Sequence, residues 1–156
     1  MNKIYLDENL KNYYTNCLLE EIKLENIDKG IEDYLLLICK NNSIRPIFSK
    51  KGIDFGKHYS YLKISYSKHS EDTILKKVIP YFETEYSDNR YKCVCCEIKP
   101  YIQTKRKVTI ENEGSKWLVD SNYFNISQIR FELKGGSEDL HEKFWSELSL
   151  QLSELD

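Results

Sequence analysis

Alanine is absent from this chain of 156 residues, and arginine (4), proline (3), glycine (6) and methionine (1) are scarce. Alanine is the best helix former, so no folding requirement explains its loss. The abundant residues are 19 lysines, 16 isoleucines, 12 tyrosines and 11 asparagines, which mostly have AT-rich codons. The composition therefore reads as the codon usage of an AT-rich genome, bacterial or phage. Scarce proline and glycine exclude a collagen-like, linker-like or low-complexity chain. Long apolar runs are missing too. The longest, Tyr34 to Cys39, falls far short of the ~20 residues that span a bilayer, so no membrane partner is expected. There is no phosphate-binding loop, dinucleotide fingerprint, Gly-x-Ser-x-Gly elbow or His-Glu-x-x-His pair, and no cofactor is implied. The segment from Met1 to Asp7 has no apolar signal region, and five cysteines are an odd number. Both features predict free thiols in a reducing, cytoplasmic compartment.

What is present is the balance of a folded domain: 40% hydrophobic and 31% charged residues in 18.6 kDa, enough to bury a core without disulfide or metal staples. Periodicity predicts a helix over 7–24, with Leu10, Tyr13, Tyr14, Cys17 and Leu18 on one stripe. A second helix is expected over 28–40, with Asp28 as its cap. Residues 44–49 read as an edge strand, because Pro46 lacks an N–H. The alternation of 59–68 turns Leu62, Ile64 and Tyr66 to one face and Tyr59, Tyr61 and Lys63 to the other. A short helix over 71–79, capped by Ser70 and closed by Pro80, comes next. A strand over 91–99, a hairpin over 105–120 turning at 111–115, and a strand over 123–133 follow. The alternation of that last strand slips near Ser127, which suits a bulge. Gly135, Gly136 and Ser137 then open a final helix over 138–154, with Leu140, Phe144, Trp145, Leu148 and Leu152 on one arc. The expected architecture is a single α+β domain over 1–156. Its sheet is mostly antiparallel, with N-terminal and C-terminal amphipathic helices packed on one face.

Charge is the most informative pattern. The net charge is −2, yet residues 1–40 carry −3, residues 41–110 carry +7 and residues 111–156 carry −6. Two functional readings follow. In the first, the acidic final helix presents Glu138, Asp139 and Glu142 to a basic protein partner. The chain is then a non-enzymatic inhibitor or immunity-type protein blocking a nuclease toxin or nucleic-acid-binding effector. In the second, the basic strand region binds nucleic acid: Tyr59, Tyr61 and Lys63 form a stacking and charge face, and Lys105, Arg106 and Lys107 add phosphate contacts.

A third reading is enzymatic. Asp88 followed by Glu97-Ile98-Lys99 at the end of a strand has the pattern of a metal-dependent nuclease or phosphoesterase, with two carboxylates on Mg²⁺ and a lysine beside the water. The pattern is weakly specific, since Glu21-Ile22-Lys23 repeats part of it. Cys93, Cys95 and Cys96 lie on a predicted strand with no second ligand pair, and His58, His69 and His141 have no ligand spacing. The cysteines read as core packing rather than a zinc site.

Overall fold

The computed structural model describes residues 3–100 and 126–155, together with the backbone ladders of 104–110 and 114–120. Helix α1 (Glu8–Lys23) opens on Asp7, whose Oδ1 accepts the Leu10 N–H at 2.8 Å. This cap satisfies one of the donors that every helix start leaves unpaired. Helix α2 (Glu32–Ile38) is shorter than its periodicity suggests, and Asp28 does not cap it. The Asp28 Oδ2 instead accepts the backbone N–H of Lys51 at 2.8 Å, tying the α1–α2 connection to the sheet.

Strands β1 (Ile44–Asp54) and β2 (Lys57–Tyr66) form a hairpin over the two residues Phe55 and Gly56. Both have positive φ, +50° and +75°, as the tightest hairpin turn requires. Pro46 sits at a register shift in β1, an edge strand, where its missing N–H costs no ladder bond.

Beyond β2, Pro80 does not close a helix over 71–79. The chain runs through α3 (Lys68–Thr73), a π turn (Ile74–Val78) and α4 (Ile79–Glu85). Proline in a helix removes a donor and collides with the carbonyl four residues back. The π turn relieves both problems, because the Ile79 N–H reaches the Ile74 carbonyl and Pro80 falls at the start of α4. Ser67 precedes α3, and Ser70 is buried inside it rather than capping it.

Strand β3 (Tyr91–Ile98), the hairpin β4 (Thr104–Ile110) and β5 (Gly114–Asp120), strand β6 (Gln128–Gly135) and helix α5 (Glu138–Ser153) complete the chain. The hairpin turn at 111–113 and the expected strand start at 123–125 lie outside the described residues. The main sheet is antiparallel throughout, in the order β1-β2-β6-β3, and the fold is α+β as expected. The N-terminal segment extends it: the Leu6 N–H donates to the Tyr66 carbonyl and the Ser127 N–H to the Ile4 carbonyl.

One sheet face carries the core. Leu62, Ile64, Ile129, Phe131, Leu133 and Cys93 pack beneath α2, α5 and the α3–α4 helix. Phe82 sits at its centre, its ring 5.5–6.2 Å from those of Tyr86, Phe131 and Phe144. Helix α1 lies along β1, with Tyr14 in a smaller cluster with Leu6 and Ile126.

Gly135 ends β6 at φ +84°, and a Cβ there would stand 2.4 Å from the Arg90 carbonyl oxygen. Backbone cannot yield as a side chain can. Gly135→Ala is expected to cost about 2 kcal/mol or more in urea unfolding, from left-handed strain plus the collision. Gly136→Ala carries the same left-handed strain at φ +83°, but its Cβ meets only side-chain atoms, of Leu140 at 2.4 Å and of Tyr91 at 3.3 Å, so the collision costs less. Equal stability of the two variants would refute this account of the β6–α5 junction.

Candidate functional site

The sheet face opposite the core gathers charge. Cross-strand register sets its residues in three rows. Gly52, Tyr59, Lys134 and Lys92 form the row nearest the β1–β2 turn. Lys50, Tyr61, Glu132 and Val94 form the second, and Phe48, Lys63, Arg130 and Cys96 the third. At ~4.8 Å between strands and ~7 Å between rows, the array measures roughly 15 Å each way. It holds five cations, Lys50, Lys63, Lys92, Arg130 and Lys134, against one acid, Glu132.

The aromatic rings organise those cations. Lys50 and Lys134 each place Nζ 5.4 Å from the Tyr59 ring centre. Lys63 lies 5.4 Å from the Phe48 ring and 5.6 Å from that of Tyr61. Such contacts hold long side chains over a π face without neutralising them. Glu132 is already engaged: it accepts the Tyr59 hydroxyl at 2.7 Å and stands 3.9 Å from Arg130 Nε. Burial and that bond push the Tyr59 hydroxyl up to about 12. Burial, and next the Arg130 charge, push the Lys63 ammonium down. Arg130 Nε has no hydrogen-bond partner among the described residues. Among the described residues the face is thus short of negative charge, and an anion laid on it relieves the repulsion between its cations.

Tyr59, Tyr61 and Lys63 are brought together here as expected, each half-buried, and α2, α5 and the α3–α4 helix lie on the other side of the sheet. The side chains of Lys105, Arg106 and Lys107 on β4 lie outside the described residues. Lys50, Lys92, Arg130 and Lys134 were missed in the sequence. Their strands alternate legibly, but only the strand order puts them beside Tyr59.

The acidic trio of α5 is divided. Glu138 and Asp139 are exposed in the first turn, where helix dipoles favour acids. Glu142 is half-buried and bound internally, by an ion pair with Lys51 and by the Tyr34 hydroxyl at 3.1 Å. These two contacts hold its carboxyl below the usual range, with the Lys51 contact the larger cause. A basic partner therefore meets two free carboxylates on this turn rather than three.

The carboxylate pair of the enzymatic reading is not assembled. Asp88 lies before β3, and its Oδ1 accepts the Arg90 and Tyr91 N–H groups at 2.6 and 3.1 Å, an ordinary Asx turn. Glu97 lies near the far end of β3, roughly 20 Å or more away at strand rise. There it shares Lys3 with Glu71, at 2.9 and 2.7 Å, and pins the N-terminal segment. Lys99 is exposed just beyond the strand. Asp88 and Glu97 share no concavity, which corrects that expectation.

The thiols of Cys93 and Cys95 lie 3.9 Å apart, with Cys93 buried in the core. The Cys93 contact and burial push the Cys95 thiol up, against nucleophilic use. No group of three or more His, Cys, Asp or Glu that could hold a metal occurs among the described residues.

One dyad needs a separate reading. The Ser60 hydroxyl lies 2.7 Å from His141 Nδ1, and His141 Nε2 lies 2.7 Å from the Gly135 carbonyl. Nε2 donates to that carbonyl, and burial favours the neutral imidazole, in which Nδ1 accepts from Ser60. Ser60 is sealed from solvent, so the pair clasps β2 to the β6–α5 junction rather than serving a substrate. Burial pushes the His141 pKa below its ordinary value, and His58 and Lys51 nearby add to the effect. The unfolded chain, titrating near 6.5, then binds the proton more readily. Stability is therefore full above about pH 6.5 and falls as the pH drops below it, by at most about 1.4 kcal/mol per pH unit for this group. Urea midpoints between pH 5 and 8 test this, with His141→Gln expected to flatten the slope. An unchanged slope in that variant would rule out the assignment.

The fold and the face together define a class: a four-stranded antiparallel sheet with α2, α5 and the α3–α4 helix over its apolar side, α1 along its β1 edge, and a basic, tyrosine-bearing array on its other side. No protein-family model, curated protein or solved structure matches the chain. No helix among the described residues is long and apolar enough to cross a membrane.

Proposed function

We propose that this protein is a nucleic-acid-binding module, non-enzymatic, that lays a phosphodiester strand across the β1-β2-β6-β3 face. The observation that carries the reading is the assembly of Lys50, Lys63, Lys92, Arg130 and Lys134 around Tyr59 and Tyr61, where Glu132, the one acid of this face among the described residues, is already bonded. Phosphates supply the missing negative charge, and tyrosine faces accept bases by stacking. A chain with a sequence pI near 6.0 is not basic overall, but its charge is segregated. The acids of α5 lie with the helices, and the cations lie on the opposite sheet face. A local field of this kind steers a polyanion to one side of the molecule.

The test is anisotropy titration of a labelled 20-nucleotide single strand at several salt concentrations. Five phosphate contacts on a single strand give a slope of about −3.5 for log K against log salt. Absence of binding at low salt, or a slope near zero, would overturn the reading.

A further inference from the structure

The β1–β2 turn carries a residue that folding does not favour. A two-residue turn with both φ values positive prefers Asn-Gly or Gly-Gly, because a bulky side chain is strained in the left-handed region. Here the first position is Phe55, at φ +50°, and the residue is 98% exposed. No packing offsets the strain, so the ring has no structural return within the described residues. Strained residues cluster at active sites and ligand clamps, which makes an unpacked one a candidate for ligand contact.

The surroundings name the ligand's chemistry. Phe55 opens on a cavity of about 200 Å³, lined by Asp54, Phe55, Lys57, His58, Tyr59 and Lys134. That is below the roughly 300–1,000 Å³ of sites for drug-sized molecules, and it suits one flat ring. Two aromatic side chains, Phe55 and Tyr59, border it, and Lys57 and Lys134 stand at hand for flanking phosphates. Asp54 offers an acceptor, which fits the exocyclic amino group of a base and repels a bare phosphate. Tyr59 and Lys134 also belong to the basic face, so the cavity continues the same track.

We infer that the turn pocket receives one unpaired nucleobase, stacked on Phe55 beside Tyr59, and that the protein is therefore selective for single strands over duplex. The inference rests on the nucleic-acid reading of the sheet face and assigns that face its ligand form. In a duplex the bases are stacked on one another and their faces are closed to side chains.

Four probes separate the possibilities: a single-stranded DNA oligonucleotide, its abasic phosphodiester counterpart and the duplex, all of matched length, and vesicles of anionic lipid. Wild type is expected to bind the single strand more tightly than the abasic chain or the duplex. Phe55→Ala is expected to weaken single-strand binding by about 5- to 100-fold, the range for loss of one base stack. It should leave abasic binding and the salt slope unchanged. Phe55→Asn removes the ring but suits the turn, so it is expected to fold at least as stably and to bind as weakly as Phe55→Ala. If the abasic chain and the single strand bind equally and neither variant alters them, the pocket inference fails while the face reading stands. If no polyanion binds wild type, the face reading fails first. Loss of vesicle binding alone in the Phe55 variants would overturn the inference in favour of a lipid contact.

Discussion

Replacing Lys50, Lys92 and Lys134 together by glutamine is expected to weaken single-strand binding about 100-fold at 0.1 M salt. The magnitude follows from counterion release. Each phosphate contact on a single strand contributes about 0.7 to the salt slope, so it supplies roughly a fivefold gain in affinity at 0.1 M relative to 1 M salt. Three contacts multiply to about 100-fold, and the slope should fall in magnitude by about 2. Lys92 and Lys134 are exposed and Lys50 is half-buried against Tyr59, so the fold loses only weak cation–π contacts. The urea midpoint should therefore move little while affinity collapses. An affinity loss with an unchanged salt slope would mean that the lysines act through the shape of the face, and the phosphate assignment would fail. Glu138→Lys with Asp139→Lys is the matching control on the opposite side. It should leave binding intact or improve it, since it removes repulsion from a distant surface.

The face shows where local sequence reasoning stops. Alternation within 59–66 placed Tyr59, Tyr61 and Lys63 on one side, because strand geometry needs only period two. It said nothing of Lys134 or Lys92, which stand beside Tyr59 because β6 and β3 follow β2 in the sheet. That order depends on pairings across 65 to 75 residues between β2 and β6 and 30 to 44 between β3 and β6, and no window of local periodicity contains it. Glu142 fails for the same reason. One turn from Glu138 it reads as part of a polar arc, yet Lys51 arrives from β1 and binds it. Pro80 fails differently. The local rule for proline is sound, but burial of Ile74, Val78 and Phe82 holds the chain helical past it, and the π turn absorbs the conflict. Phe55 is not legible as a site in the sequence, because strain is a property of a turn in three dimensions and an isolated phenylalanine beside glycine carries no mark of it.

Phe82→Ala is expected to cost 3 to 5 kcal/mol, the range for deleting a buried aromatic ring. The ring is fully buried and meets Tyr81, Tyr86, Phe131 and Phe144, so its removal opens a void bordered by other rings that cannot collapse into it. Domains of this size have about 5 to 15 kcal/mol in all, so the variant stands near unfolding. Urea titration should show a lower midpoint at an unchanged slope, since the native state keeps its exposed surface. Should it fail to fold, Phe82→Leu keeps most of the volume and is expected to cost under about 2 kcal/mol. The informative comparison is with Tyr59→Ala. Tyr59 lies on the other side of the same sheet, where it bonds Glu132 and meets two lysines, and its loss should cost about 1 kcal/mol of stability but weaken single-strand binding by about 5-fold or more. In Phe82→Leu the order is reversed: stability falls while the folded fraction binds as wild type. The two faces then divide the work, because alternating side chains give the helices one set of residues and the ligand the other. A variant on the core face that abolished binding while fully folded would break that division, and with it the assignment of the basic face as the site.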